Sequence, residues 1–386
     1  MRPPFPEMLL QLMWHRKSIP LQLTGTKGEK IEVVNGGYWN QDAGPDFIQS
    51  SIRINGVVWC GQTEFHLLSS DWYRHGHDAD PAYFNVVLHV VWKMDRKVVL
   101  GGMELVTVEL ENIIHQATIE KFRDLNECPL KLPCQQFEVT PLHWLQQFDR
   151  MAAERHSEKV GEVREKCKAK SWDERQAYWF VVCRFFGGYI NKEGMAFLGE
   201  QLSWVWLMRL RNGQVRILLL GMTRQLQDEA EKVEFQIMCQ HLSLVVPNLG
   251  MWKKGKTRPA NQIKNRIEEL IRFVEFWKLK QFECSFISEK EWLIILKKQR
   301  VSKEFMNNYL LNVWGVFSEL ATPGAGLPIW ESASWESNRF TRVFESKILP
   351  ASKNGLRSQG MYHLWNEYCK HKKCLNCGIG QTIVAG

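Results

Sequence analysis

Asp46 and Glu64 lie on either side of an Asn55-Gly56 pair, in the segments Gly44-Pro45-Asp46-Phe47 and Gly61-Gln62-Thr63-Glu64-Phe65-His66. Asn-Gly between alternating apolar residues signals a two-residue hairpin turn, and such a hairpin can bring the start of one strand beside the middle of the next. Two carboxylates placed this way are hard oxygen ligands for Mg²⁺ or Mn²⁺, with the Phe65 carbonyl as a further ligand. Side chains two apart on a strand share a face, so His66 is expected beside Glu64, where a titratable group can act on a metal-bound water.

The loop that follows, Asp71-Trp72-Tyr73-Arg74-His75-Gly76-His77-Asp78-Ala79-Asp80, is dense in metal-capable side chains. His75, His77 and Asp80, with His66 and His89 nearby in the fold, offer imidazole and carboxylate ligands for zinc. The plainer reading is a polar surface loop over two hydrogen-bonded core histidines. Trp72 and Tyr73 suit stacking on a base or sugar, and Trp72 equally suits the core.

A second constellation closes the chain: Cys369, Cys374 and Cys377 form C-x4-C-x2-C, followed by Gly378. Three thiolates at this spacing can wrap one face of a zinc ion or an iron–sulfur cluster. A fourth ligand is expected from Cys134 or Cys128 in a Pro-containing linker, or from His371. Cys60, Cys167, Cys183, Cys239 and Cys284 sit singly in apolar or helical surroundings and read as packing residues.

Charge adds a third feature. The chain of 386 residues carries a formal charge of +8, which raises encounter with polyanions and also aids solubility. Lys253, Lys254, Lys256, Arg258, Lys264 and Arg266 form a run without an intervening carboxylate, and Lys297, Lys298, Arg300 and Lys303 form another. Such runs are either solvated helix faces or surfaces that track phosphates, so nucleic acid is the expected partner.

The elements that must hold these groups follow from periodicity. Leu9, Leu10, Met13 and Trp14 recur at helical spacing after Pro6. Strands are expected at Lys30–Val34, at Ser51–Ile54 with its return through Val57–Leu67, at Phe84–Trp92, and as a pair between Val98 and Leu110. Beyond Glu111 the period turns helical, at Leu142–Lys168, Asp173–Tyr189, Gly194–Leu210, Asp228–Val246, Ile263–Leu279 and Lys303–Leu320. The expected class is α+β: an αβββαβ mixed sheet over 1–125, a linker with cysteines over 126–140, a helical domain over 141–350, and a C-terminal helix and cysteine motif over 351–386.

Hydrophobic residues at 45% and charged residues at 24% describe a globular chain rather than a disordered one. The start of the chain lacks a secretory pattern, and Ile217–Met222 is far too short to span a bilayer. Ten cysteines without such a signal fit a reducing compartment. A cytoplasmic protein with no membrane segment is the expectation.

Pro45-Asp46 followed by Glu64-Phe65-His66 resembles the PD-(D/E)XK nuclease superfamily, with His66 where the motif has lysine. The resemblance implies metal-dependent phosphodiester hydrolysis, and it matches Glu7 to an additional acidic ligand on the first helix. Some nuclease-fold members also carry an iron–sulfur staple built from one distant cysteine and a closing triplet, which the layout of Cys134, Cys369, Cys374 and Cys377 resembles. Across nearly its whole length the chain also resembles the bacterial family called domain of unknown function 2851. That resemblance rests on Gly44-Pro45-Asp46-Phe47, Trp59-Cys60-Gly61, Glu64-Phe65-His66, Ser70-Asp71-Trp72, His75-Gly76-His77 and Val87–Val91. It continues in Trp252, Arg258–Asn261, Ser358–Gly360 and Tyr368–Gly380.

Three functions are consistent with these residues. The first is a Mg²⁺- or Mn²⁺-dependent nuclease on DNA or RNA, with Asp46, Glu64, His66 and Glu7 at its centre. The second is a non-catalytic nucleic-acid or protein-binding module on a degenerate nuclease frame, which the missing lysine favours. The third is a zinc hydrolase centred on His75 and His77.

Overall fold

A computed structural model describes residues 2–128, 130, 132–188, 190–253, 262–279 and 302–385. The apolar spacing after Pro6 forms α1 (Met8–His15), which buries Leu9, Leu10, Leu12, Met13 and Trp14. Five strands follow: β1 (Gln22–Thr24), β2 (Lys30–Asn35), β3 (Tyr38–Trp39), β4 (Phe47–Ile54) and β5 (Val57–Leu68). They pair antiparallel in the order β1-β2-β4-β5, with β3 also on β4. Asn55 and Gly56 take φ of 50° and 89°, the double left-handed turn that matches the twist of a hairpin.

A short helix α2 (Asp71–Arg74) and a 3₁₀ turn at Pro81–Tyr83 then carry the chain over to β6 (Val86–Lys93). β6 lies parallel to β5 and puts His89 opposite Glu64. A parallel neighbour needs such a crossover, because a two-residue turn cannot reverse the chain twice. Gly61 permits the approach, since a Cβ there would fall 2.4 Å from the Asn85 carbonyl oxygen and 2.5 Å from Val87. The pair expected between Val98 and Leu110 divides instead. β7 (Val99–Leu100) and β8 (Met103–Glu104) make a separate hairpin, while β9 (Thr107–Glu109) joins the main sheet parallel to β6.

One face of β5 is covered by α1, where Trp14 meets Phe65 edge-on at 5.5 Å and Phe47 packs on Phe65 at 5.4 Å. The other face carries Trp72 and the histidines. The near end of the hairpin behaves differently: Val57, Val58, Trp59 and Cys60 are exposed. Cys60 is therefore not the packing residue expected, because β5 runs past the helix that covers its second half.

After β9 come α3 (Gln116–Glu127), a 3₁₀ turn at Pro133–Gln136 and the long α4 (Pro141–Lys170). The chain forms two compact units, one from 1–147 with 363–386 and the other from 148–362. The segment 126–140, expected as a linker, thus belongs to the first unit. So does the cysteine motif, which does not stand with the rest of 351–386.

The second unit is helical: α5 (Glu174–Phe186), α6 (Lys192–Gln201), α7 (Trp204–Arg209), α8 (Asn212–Met222), α9 (Glu229–His241), α10 (Ile263–Leu279), α11 (Lys303–Tyr309), α12 (Gly315–Ala321), α13 (Gly326–Ser332) and α14 (Gly355–His363). A π turn at Leu310–Trp314 joins α11 to α12. The single helix expected over Gly194–Leu210 is broken at Leu202-Ser203. Gln176 accounts for the break: its Nε2 donates to the carbonyls of Gly199 (2.8 Å) and Leu202 (3.3 Å), and its Oε1 accepts from Trp204 N–H at 2.8 Å. Backbone groups orphaned by the break are thus satisfied by a side chain. Fully buried Trp179, Trp277, Trp330, Tyr178 and Phe180 build the core, where the Tyr178 and Tyr309 hydroxyls are hydrogen-bonded.

The remaining segment, ending in α15 (Gly378–Ala385), returns to the first unit and packs on α1, α3 and the 3₁₀ turn at Pro133–Gln136. Among the described residues, no helix is long and apolar enough to cross a membrane.

Candidate active site

Asp46 sits in the turn that opens β4. Gly44 takes φ 104° there, and Asn40 clamps the turn. Its Nδ2 donates to the carbonyls of Ala43 (3.2 Å) and Pro45 (3.1 Å), and its backbone N–H donates to Asp46 O at 2.7 Å. Held this way, Asp46 meets β5 twice. Its backbone N–H donates to Glu64 Oε2 at 3.0 Å, and its own Oδ2 accepts from Phe65 N–H at 3.0 Å.

Glu7 precedes the first turn of α1, and Gln11, one turn on, donates to its Oε1 at 3.3 Å. Burial raises the Glu7 carboxyl to about 8, helped by the charges of Asp46, Glu64 and Asp71. Asp46 is raised to about 7, by burial first and then by Glu64. Burial raises Glu64 to about 8. Three acids are thus crowded in a poorly solvated place, where each resists ionising beside the others. A divalent cation is the group that such a donor set fits, since it removes the repulsion and supplies what water cannot.

Imidazoles close the other side. His77 Nε2 lies 3.4 Å and His66 Nε2 3.8 Å from Glu64 Oε1. His66 Nδ1 is 2.8 Å from His89 Nε2, and His66 Nε2 is 3.2 Å from His75 Nδ1. One ligand atom each from His66, His75 and His77 fall within 4.8 Å of one another. Burial, followed by the neighbouring histidines, pushes His66 far below the usual imidazole range, and burial pushes His89 down to about 3. Both are neutral rings at physiological pH. Burial also lowers His75 and His77.

The tautomers follow from one unpartnered atom, His89 Nδ1. A buried N–H without an acceptor is rarer than a buried lone pair without a donor. We therefore assign the proton of His89 to Nε2, donating to His66 Nδ1. His66 Nε2 then carries its own proton and points it at His75 Nδ1.

The loop is fixed from several sides. Asp71 is buried between Arg2 (3.2 Å) and Arg74 (2.9 Å). Trp72 is fully buried, and Tyr83 stacks on His77 with ring centroids 3.7 Å apart. Asp80 is not one of that histidine group; it caps the 3₁₀ turn, accepting from Ala82 N–H at 2.9 Å, and its charge still reaches His77.

Glu7, Asp46, Glu64, His66, His75 and His77 are therefore brought together. Sequence reasoning left out Gln11 and Tyr83. Gln11 was legible as the residue one helical turn from Glu7, whereas nothing near Tyr83 signalled its stacking. Cys134, Cys369, Cys374 and Cys377 gather elsewhere in the same unit, where Cys369 has the other three as electrostatic neighbours. Of the basic run, Lys254, Lys256 and Arg258 lie outside the described residues, as do Lys297, Lys298, Arg300 and Cys284. Lys253 and Lys264 are exposed, and Arg266 pairs with Glu269 at 3.1 Å.

No curated protein and no solved structure matches the chain. The model of one family, described as "Protein of unknown function (DUF2851)", matches residues 7–310, which takes in all six site residues but stops short of the cysteine motif. By that match, the chain belongs to the DUF2851 family.

Proposed function

We propose that the chain is a divalent-metal-dependent nuclease that hydrolyses phosphodiester bonds in DNA or RNA. The observation that carries this reading is the reciprocal bonding of Asp46 and Glu64 beside Glu7, one buried and two half-buried acids with raised pKa values at one point of the sheet. Asp46 and Glu64 would hold Mg²⁺ or Mn²⁺, with Glu7 as a further acid. Bound there, the cation supplies charge stabilisation to a scissile phosphate and an acidified water.

The chain's own groups do the rest. The N–H of Phe65 keeps Asp46 Oδ2 oriented, and the N–H of Asp46 does the same for Glu64 Oε2. His77, held against Tyr83 and 3.4 Å from Glu64, orients the attacking water. His66 stands where the PD-(D/E)XK motif has lysine and is neutral, so it brings no charge there and serves to hold His75. Exposed Lys253 and Lys264 supply positive potential for a polyanion.

A zinc hydrolase is favoured by the grouping of His66, His75 and His77. Labelled single- and double-stranded DNA and RNA, incubated with Mn²⁺, Mg²⁺ or Zn²⁺, test both readings. The nuclease reading expects cleavage with Mn²⁺ or Mg²⁺ that is lost in Asp46→Asn and retained in His75→Ala. Cleavage only with Zn²⁺, lost in His75→Ala, supports the second reading. No cleavage with any cation, together with undiminished nucleic-acid binding, would leave a binding module.

A further inference from the structure

The C-terminal segment is shaped around its cysteines. Cys369 ends a π turn at Leu364–Tyr368 and opens a 3₁₀ turn at Cys369–His371. Lys372 follows at φ 53°, a left-handed position that a non-glycine residue occupies only when its surroundings insist. A second 3₁₀ turn spans Cys374–Asn376, and Cys377 N–H donates to Cys374 O at 3.2 Å. Within nine residues the backbone thus reverses twice and presents three thiols.

Gly380 lets α15 close on this turn, and Gly378 lets it close on Gln147 of α4. A Cβ on Gly380 would lie 2.2 Å from the Cys374 carbonyl oxygen, and one on Gly378 2.5 Å from Gln147 Oε1, which accepts the Gly378 N–H at 3.0 Å. Lys372 Nζ donates to the Asn126 carbonyl at 2.6 Å and ties the turn to the end of α3. From there the chain runs into the 3₁₀ turn at Pro133–Gln136, which holds Cys134 and packs on α15. Cys377 is buried, and Cys134, Cys369 and Cys374 are half-buried.

We propose that Cys134, Cys369, Cys374 and Cys377 together ligate one thiophilic metal centre, a zinc ion or an iron–sulfur cluster, that fastens the C-terminal segment to the turn after α3. This site is separate from the acidic one and does not depend on any activity there. Two turns 235 residues apart in sequence supply one and three sulfurs, the count that a four-coordinate centre takes. Each ligand binds as thiolate: the S–H proton leaves to solvent and the sulfur lone pair forms the metal bond. Cys377, Cys134 and Cys374 all stand near enough to Cys369 to act on it electrostatically. The metal would also explain why so short a stretch folds without a large core of its own.

The test uses the full chain purified without oxygen or chelator, with zinc, iron and acid-labile sulfide measured per chain and a visible spectrum recorded. About one zinc, or iron with sulfide and a broad visible absorption, supports the proposal, and the two results name the centre. Cys134→Ser and Cys374→Ser should each lower that content at least tenfold, while Cys60→Ser leaves it intact. Should the serine variants fail to fold, alkylation of the wild-type chain followed by peptide mapping decides. All four thiols should be protected with metal and labelled together after its removal. Metal below about a tenth per chain, full retention in Cys134→Ser, or labelling of the four thiols that ignores metal would each overturn the proposal.

Discussion

Asp46 donates its backbone N–H to the carboxylate of Glu64 at 3.0 Å, while its own carboxylate is held by the residue after Glu64. Neither side chain can leave without disturbing the other, so the two acids act as one unit. Asp46→Asn and Glu64→Gln should each lower Mn²⁺-supported cleavage by roughly 10²-fold or more. Both should leave the circular dichroism spectrum unchanged. Wild-type rates in either variant would remove Asp46 and Glu64 from the chemistry.

The raised acids also give stability a pH dependence. Glu7, Asp46 and Glu64 titrate near 8, 7 and 8 in the fold, against ordinary values of 4.5, 3.8 and 4.5. Across that interval the folded protein binds more protons than the unfolded chain. The stability that these three groups contribute is therefore fully present below about pH 4 and is lost as pH rises through 7 to 8. Melting of metal-free protein should fall over this window by an amount equivalent to a few kcal/mol, and Mn²⁺ should restore more at pH 8 than at pH 5. In Asp46→Asn the slope should flatten. A melting temperature that climbs from pH 5 to pH 8 in metal-free protein would contradict the burial of these acids.

In the helical unit, Gly360 brings its helix against α4 so closely that a Cβ would lie 2.0 Å from the Phe148 carbonyl oxygen. Backbone cannot yield as a flexible side chain does. Gly360→Ala should cost roughly 1–3 kcal/mol in urea denaturation, despite the better helix propensity of alanine. A stabilised variant would mean that the two helices do not approach as described.

Lys264 is exposed at the start of α10, whereas Arg266 is engaged by Glu269. If α10 tracks a phosphate backbone, Lys264→Glu should weaken nucleic-acid binding at low salt and reduce the log–log salt slope by roughly one. Fluorescence anisotropy at several salt concentrations measures both. An unaltered slope would return Lys264 to the solvated surface.

Local signals in the sequence were read well. Asn55-Gly56 turns where its φ angles require it to, and Gly44-Pro45 delivers Asp46 to the next strand. Ile263–Leu279 forms one helix over the span its periodicity marks. What stayed hidden depends on partners far along the chain. The break at Leu202-Ser203 is made by Gln176, from another helix, and no local residue announces it. The small hairpin β7-β8 was merged with β9, because very short strands carry too little alternation to separate them. Exposure of Cys60 was missed because periodicity shows which residues share a face, not where a covering helix ends. At the candidate site, Asp46, Glu64 and His66 were legible through strand geometry. The tautomer chain through His89 and the stacking of Tyr83 on His77 emerge only from tertiary packing.

The return of residues 363–386 to the first unit has a consequence for how the protein is made. α15 covers α1 and α3, with Ser18 donating to the Ala385 carbonyl at 2.7 Å and Arg16 to Gln381 at 2.7 Å. During synthesis the sheet emerges first, yet its last helix is about 215 residues away, beyond the whole helical unit. At roughly 5–20 residues per second, the ribosome takes about 10–40 s to deliver it. Throughout that interval the nascent sheet waits with the α15 contact surface bare, while the helical unit, continuous in sequence, can complete itself. Order of synthesis and order of folding are thereby reversed: the part translated first is finished last, and a ribosome that stalls anywhere in the helices leaves the N-terminal unit open.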